Sequence, residues 1–295
     1  MAQATLPVRF YRQYPEPGQK NTESSHGHAH TTIQIDTQRT ALVLIDIWDA
    51  TEVLARYGWS PGLTEDIRRR VENITRQHIA PSLAAARRAG LCIVHAPSDY
   101  VAMRYPQHRE LAQRMAKRCT PSVSLKASQE RAWPPREFTE ELHARRYEHH
   151  YGPGSDEINC FRKATSMIHP AVAPLDEEFV VADSNEMDLI FRDREILYLF
   201  YAGFATNMCL MDKPGAIRDR HGRGYELIVL RDCTSAVETL DTCEQETMTR
   251  DAIRLIEMSL AWTATSADFM RALEPPGDAA AANPARGDVD EVTAP

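Results

Sequence analysis

EILYLFYAGFATNMCL, residues 195–210, decides the fold. Its run Ile196-Leu197-Tyr198-Leu199-Phe200-Tyr201 is apolar on both faces, which suits a central parallel strand covered by helices on each side. Ala202-Gly203 ends that strand. Thr206 is placed to cap a new helix, and Cys209 then falls in its first turn. A thiol there meets the positive end of the helix dipole and several unpaired backbone N–H groups, which favour the thiolate. The same N–H groups can hold a developing oxyanion. This strand–turn–nucleophile reading stands beside the plainer one of a buried structural cysteine.

Outward from this stretch, strand and helix patterns alternate. RTALVLID (39–46) is a first buried strand ending in Asp46. In an open parallel sheet ligands bind beyond the carboxyl ends of the strands, so Asp46 sits where chemistry occurs, as a helix cap or as a general base. A long helix is expected over 64–90, broken or kinked at Pro81 and stopped at Gly90. LCIVH (91–95) is a second strand whose end brings His95 and Asp99 to the same edge, where a satisfied strand-end histidine is the alternative. EFVVA (178–182) is a third, followed by the polar cluster Asp183-Ser184-Asn185-Glu186. Further strands are expected at 225–230 and 260–264, with helices near 243–258 and 266–273 and a kink at Pro214 in the helix that carries Cys209. The pattern predicts an α/β fold: a three-layer, Rossmann-like sandwich with a mostly parallel six-stranded sheet and helices on both faces.

At 295 residues with 43% hydrophobic side chains the chain can bury a sizeable core. A net charge of −8 without a basic run argues against nucleic-acid binding. No 18-residue apolar stretch is present, so no membrane span is expected, and the N-terminal 15 residues lack the apolar centre of a signal peptide. Six scattered cysteines without metal-ligand spacing fit a reducing cytoplasm. Residues 1–37 read as an irregular polar arm. Their three alternating histidines, His26, His28 and His30, read as a polar segment rather than a metal site. The domain proper spans 38–273, and 274–295 read as a disordered tail. Within the domain, 100–176 form a long connection with helical pieces near 107–118 and 137–149, suited to a lid or to a contact in a homo-oligomer.

Three pieces together, LVLID with Asp46, Gly203-Phe-Ala-Thr-Asn-Met-Cys209, and Gly224-Tyr-Glu-Leu-Ile-Val-Leu-Arg-Asp-Cys-Thr234, resemble the isochorismatase-like cysteine hydrolases, a group that includes nicotinamidases and N-carbamoylsarcosine amidohydrolases. The resemblance implies a cofactor-independent hydrolase of a carbon–nitrogen bond in a small molecule. Cys209 is then the nucleophile and Asp46 the acid/base. The N–H groups of Ala205 and Cys209 form the oxyanion hole, and the Phe204–Ala205 peptide is cis. Trp48, His95, Asn185 and Phe204 fall on the substrate side, Trp48 replacing the family's usual amide and offering a stacking face.

The resemblance also implies a lysine at the end of the third strand, where this chain carries Asp183. Taken as the third catalytic residue, Asp183 reverses the local charge. Two carboxylates in one pocket share a proton and disfavour the thiolate. The expectations that follow are a cation arriving from elsewhere, with Arg162, Lys163 and Arg192 as candidates, or a binding protein without turnover. A third is a metal held by Asp46, Asp183 and His95, although HAPSDYVAM lacks the family's Asp-x-His spacing. No metal or cofactor is assigned.

Overall fold

A computed structural model of the chain describes residues 3–118 and 135–274. The first two elements are strands, β1 (Gln3–Arg12) and β2 (Gly27–Asp36), paired as an antiparallel hairpin. The expectation of an irregular arm is therefore corrected. Ala4, Leu6 and Val8 alternate inward with period two, a signal that Pro7 and the polar histidine run of β2 obscure. The central domain follows as β3 (Thr40–Ile45), α1 (Thr51–Tyr57), α2 (Glu65–Ile74), a π-helical turn at Thr75–Ile79, α3 (Ala80–Arg88) and β4 (Cys92–Ala96). The wide turn lies immediately ahead of Pro81, which cannot donate to the helical ladder.

The long connection supplies α4 (Asp99–Ala102), α5 (Pro106–Arg118), α6 (Arg136–Tyr151) and α7 (Ser155–Thr165), with residues 119–134 outside the described ones. Of these, α5 and α6 were expected and α7 was not. Next come β5 (Phe179–Val180), α8 (Ser184–Asp193), β6 (Tyr198–Gly203), the single turn α9 (Cys209–Asp212) and α10 (Ile217–Gly222). The domain closes with β7 (Glu226–Leu230), α11 (Thr247–Ser259), β8 (Trp262–Ala264) and α12 (Ser266–Ala272). Of the tail expected to be disordered, 274–295, residues 275–295 lie outside the described residues. Among the described residues no helix is long and apolar enough to cross a membrane.

The sheet has eight strands in the order β2-β1-β8-β7-β6-β3-β4-β5. The six from β3 to β8 are mutually parallel, as expected, and the hairpin adds two antiparallel strands at one edge. Helices cover both faces, giving two apolar cores, one built around Leu42, Leu83 and Phe200 and the other around Val43, Tyr201 and Ile217. The chain leaves β3 in one direction to β4 and returns on the other side as β6, so the β3–β6 boundary is a topological switch point. The crevice beyond its carboxyl ends is where a ligand site forms in such sheets.

His95, expected near the ligand edge, lies inside the core. Its Nε2 donates to Glu178 (2.9 Å), which also accepts from Arg87 Nε (2.6 Å) and Nη2 (2.9 Å) and from the Leu175 N–H (2.9 Å). Burial raises the Glu178 pKa, but the bonds from Arg87 and His95 outweigh it and hold the carboxyl at about 2. Burial lowers the His95 pKa, opposed by Glu178.

A carboxyl with a depressed folded-state pKa stabilises the fold above its unfolded value of about 4.5 and loses that contribution as pH falls toward 2. A histidine depressed below 6.5 adds to the same acid sensitivity. Urea unfolding is expected to show stability dropping between pH 5 and 3. In Glu178→Gln, stability at pH 7 is expected to be on the order of 2–3 kcal/mol lower, with a flatter acid limb. An unchanged acid limb in the variant contradicts this assignment.

Candidate active site

The last residues of β3 and β6 lie in register, Ile45 beside Gly203. Gly203 is required there, because its φ is +124° and a Cβ would sit 2.0 Å from the Ile45 carbonyl oxygen. The chain then makes a cis peptide at Phe204–Ala205 and reaches Cys209 through a turn held by Thr206, whose N–H donates to Ser235 O (3.1 Å) and whose hydroxyl meets Thr234 Oγ1 (2.7 Å). Thr206 thus ties β6 to the β7 loop; it does not cap the helix, which begins after Met208.

On the neighbouring strand Asp46 turns out of β3 with φ +45°, a left-handed conformation that aspartate tolerates better than most residues. Its carboxylate, 5% exposed, lies beside the Cys209 thiol and raises its pKa, and accepts from Ser98 Oγ (3.1 Å) and from Lys213 Nζ (3.0 Å).

Lys213 supplies the missing cation. Its Nζ also donates to Ala96 O (2.9 Å) and Pro97 O (2.5 Å), carbonyls exposed where β4 ends. Three donors meet three acceptors, which only the protonated amine satisfies. The local sequence explains the placement. Lys213 lies four residues after Cys209, one helical turn on, and its N–H still donates to Cys209 O (3.2 Å). Pro214 disfavours helical backbone at the residue before it, so Lys213 adopts ψ 147° and α9 ends after one turn. Tyr201 OH, fully buried, holds the turn by donating to Gly215 O (2.7 Å).

The thiol is pushed up to about 12, by burial first and then by the charge and hydrogen bond of Asp46, with Lys213 opposing. Cys209 therefore rests as a thiol beside the Asp46 carboxylate. The expected activation by a helix dipole is corrected, because one turn carries few aligned peptides. The Ala205 N–H donates to no backbone carbonyl among the turn and loop bonds of the described residues, and the Cys209 N–H faces its own sulfur.

Asp183 is not in this cluster. It is exposed and caps α8, its Oδ1 accepting from Asn185 N (2.7 Å) and Glu186 N (3.0 Å), while Glu186 reaches back to Ala182 N (2.5 Å). Asp-Ser-Asn-Glu is a helix-start signature. Asn185 lies in the first turn of α8 and is exposed, as is Arg192 in its last turn. With His95 in the core and Asp183 at a cap, the three expected metal ligands do not converge. No group of three such side chains suited to a metal occurs among the described residues.

Asp46 and Cys209 line a cavity of about 670 Å³, together with Trp48, Phe204, Ala205 and Ser98. Arg162 and Lys163 line it too, although neither is the cation at Asp46. Its far wall comes from α6 and α7, with Tyr147, Tyr151 and Asn159. The connection is pinned over the site by the Trp48–Ile168 bridge, by Asp49 N to Met167 O (2.9 Å) and by His169 N to Ile47 O (2.9 Å). His169, absent from the expected set, accepts from Ala171 N at Nδ1 (3.1 Å), so Nε2 carries the proton and donates to Glu72 (2.9 Å).

No protein-family model matches the chain, and no curated protein matches it. Solved structures do. A cysteine hydrolase from Pseudomonas syringae pv. phaseolicola 1448A is 16% identical, over 81% of this chain and 94% of that one, with a TM-score of 0.46. An N-carbamoylsarcosine amidase from Thermoplasma acidophilum is 15% identical over 77% and 96%, with a TM-score of 0.38. An isochorismatase family protein from Burkholderia thailandensis is 18% identical, over 81% of this chain and 97% of that one, with a TM-score of 0.44.

Proposed function

We propose that this protein is a hydrolase that cleaves a carbon–nitrogen bond of a small molecule through a covalent intermediate on Cys209. The observation that carries the reading is the Cys209 thiol and the Asp46 carboxylate, ion-paired to Lys213, brought together on the lining of one cavity. As Cys209 Sγ attacks the carbonyl carbon, its proton passes to Asp46 and the carbonyl electron pair moves to oxygen, held by the Ala205 and Cys209 N–H groups. The tetrahedral species collapses, the C–N bond breaks, and Asp46 returns the proton to the departing nitrogen. An amine or ammonia leaves and a thioester remains. Asp46 then takes a proton from water, the water oxygen attacks the thioester, and the C–S bond breaks as the proton returns to sulfur.

Lys213 transfers no proton in this scheme. With three acceptors bound by its Nζ it is a positive charge fixed beside Asp46 that orients the carboxylate. A nitrogen leaving group suits the site because it requires a proton, and Asp46 holds one next to the scissile bond. The alternative of a ligand-binding protein without turnover rests on Asp183 standing in place of a lysine; the Lys213–Asp46 pair supports the hydrolase reading over it. The test is Cys209→Ala, expected to abolish ammonia release from a panel of amides and ureido compounds while the thermal transition stays within a few degrees. Turnover retained in the variant rules out the nucleophile.

A further inference from the structure

The cavity wall carries charge that hydrolysis at Cys209 does not use. Its acids are committed: Asp46 to Lys213, Glu72 to Arg76 and His169, and Asp49 to the Thr51 N–H (2.9 Å) and hydroxyl (2.6 Å). Arg68 pairs with Glu65. Arg162 and Lys163 have no acidic partner among the described residues.

Arg162 is the better placed of the two, because it is half-buried and its orientation is fixed. Its guanidinium lies 5.4 Å over the Trp48 ring, Nη2 donates to Asn159 Oδ1 (2.7 Å), and Nη1 donates to Pro61 O (3.3 Å). Nε is buried and meets no acceptor. Every one of these neighbours is neutral. Arg220, which is fully buried, is by contrast paired with Asp188 and Asp219, and half-buried Arg87 with Glu178. A guanidinium held by a ring face and two neutral oxygens is oriented but not neutralised, and its fork matches a carboxylate. Around it the wall is aromatic, with Trp48, Tyr100, Tyr147, Tyr151 and Phe204. The cavity volume is in the range that encloses a ligand much larger than a simple amide.

Resting on the hydrolase reading above, we infer that the cavity selects substrates in which a flat or aromatic body carries a carboxylate, and that Arg162 is the specificity-determining residue that binds it. The long connection, through α7, then sets the substrate class, while β3, β6 and Lys213 supply the chemistry.

The test is calorimetric titration of two probes without a C–N bond to cleave, 4-methoxybenzoate and its neutral analogue 4-methoxybenzyl alcohol, against the full chain. The benzoate is expected to bind at least about ten-fold more tightly, which corresponds to about 1.4 kcal/mol. In Arg162→Gln the ratio is expected to fall near one through loss of benzoate affinity, the alcohol serving as internal reference. Arg162→Lys keeps the charge and loses the fork, so a several-fold drop for the benzoate alone is expected. That variant decides the matter if the glutamine variant has no native thermal transition. Equal binding of the two probes to the unaltered protein, or a preference untouched in the variants, overturns the inference. The titration involves no cysteine chemistry. Its outcome is therefore separate from that of Cys209→Ala, which judges the hydrolase reading.

Discussion

Asp46→Asn is expected to move two readouts in opposite directions, slowing hydrolysis by about 10²–10⁴-fold while speeding alkylation of Cys209 by iodoacetamide at pH 7. The carboxylate raises the thiol pKa both by its charge and by its hydrogen bond, and Lys213 lowers it. Replacing the carboxylate with a neutral amide removes the raising influences that are not burial and leaves the ammonium in place. The thiol pKa then falls, and each unit multiplies the thiolate fraction at pH 7 by ten. Intrinsic nucleophilicity falls with pKa at a Brønsted slope of about 0.4–0.5, so the net gain is about three-fold per unit. Hydrolysis moves the other way, because no group remains to take the thiol proton, protonate the leaving nitrogen or activate water. In the unaltered protein alkylation should keep rising through pH 9 without a plateau, as a thiol at about 12 requires. Slower alkylation in the asparagine variant means the resting state is instead a thiolate that Asp46 helps to maintain.

Lys213→Met is expected to remove both activity and stability. Asp46 is 5% exposed and the Lys213 side chain 14%. Taking one partner from a buried ion pair costs about 3–5 kcal/mol, since the other charge is left without compensation. In a chain of this size that corresponds to a drop of roughly ten degrees in Tm. A buried carboxylate stripped of its counter-ion is driven to its neutral form, and a neutral Asp46 cannot accept the Cys209 proton. Hydrolysis should therefore fall by about 10²–10⁴-fold as well. The double variant Asp46→Asn/Lys213→Met is expected to be more stable than Lys213→Met alone, because no orphaned carboxylate remains; such non-additivity marks a direct pair. Additive losses, or full activity in Lys213→Met, show that another cation serves Asp46.

The parallel order of the sheet was legible in the sequence because its central strands are apolar on both faces, a pattern that burial on both sides imposes. Asp46 and Cys209 were legible because each follows such a strand, and chain topology alone carries strand ends to one edge. Gly203 could also be anticipated at a turn, though only the 2.0 Å approach to Ile45 O shows why no other residue fits. The hairpin of β1 and β2 was missed. Its inward alternation is short and interrupted by Pro7, and its partner strand β2 buries only Ile35 and Asp36.

Only the tertiary structure decided the rest of the site. Asp183 and His95 occupy strand-end positions that sequence order assigns to the ligand edge, yet the side-chain partners at hand decide otherwise: two helix N–H groups for Asp183, and Glu178 for His95. Lys213 carried a local signal, its four-residue spacing from Cys209. Whether that spacing brings the amine to Asp46 depends on the β4 carbonyls of Ala96 and Pro97, which lie more than a hundred residues away in the chain. Charge pairing across a switch point is a property of the folded sheet. Local sequence fixes where each strand ends, and the three-dimensional arrangement of carbonyls and counter-ions determines which side chains meet there.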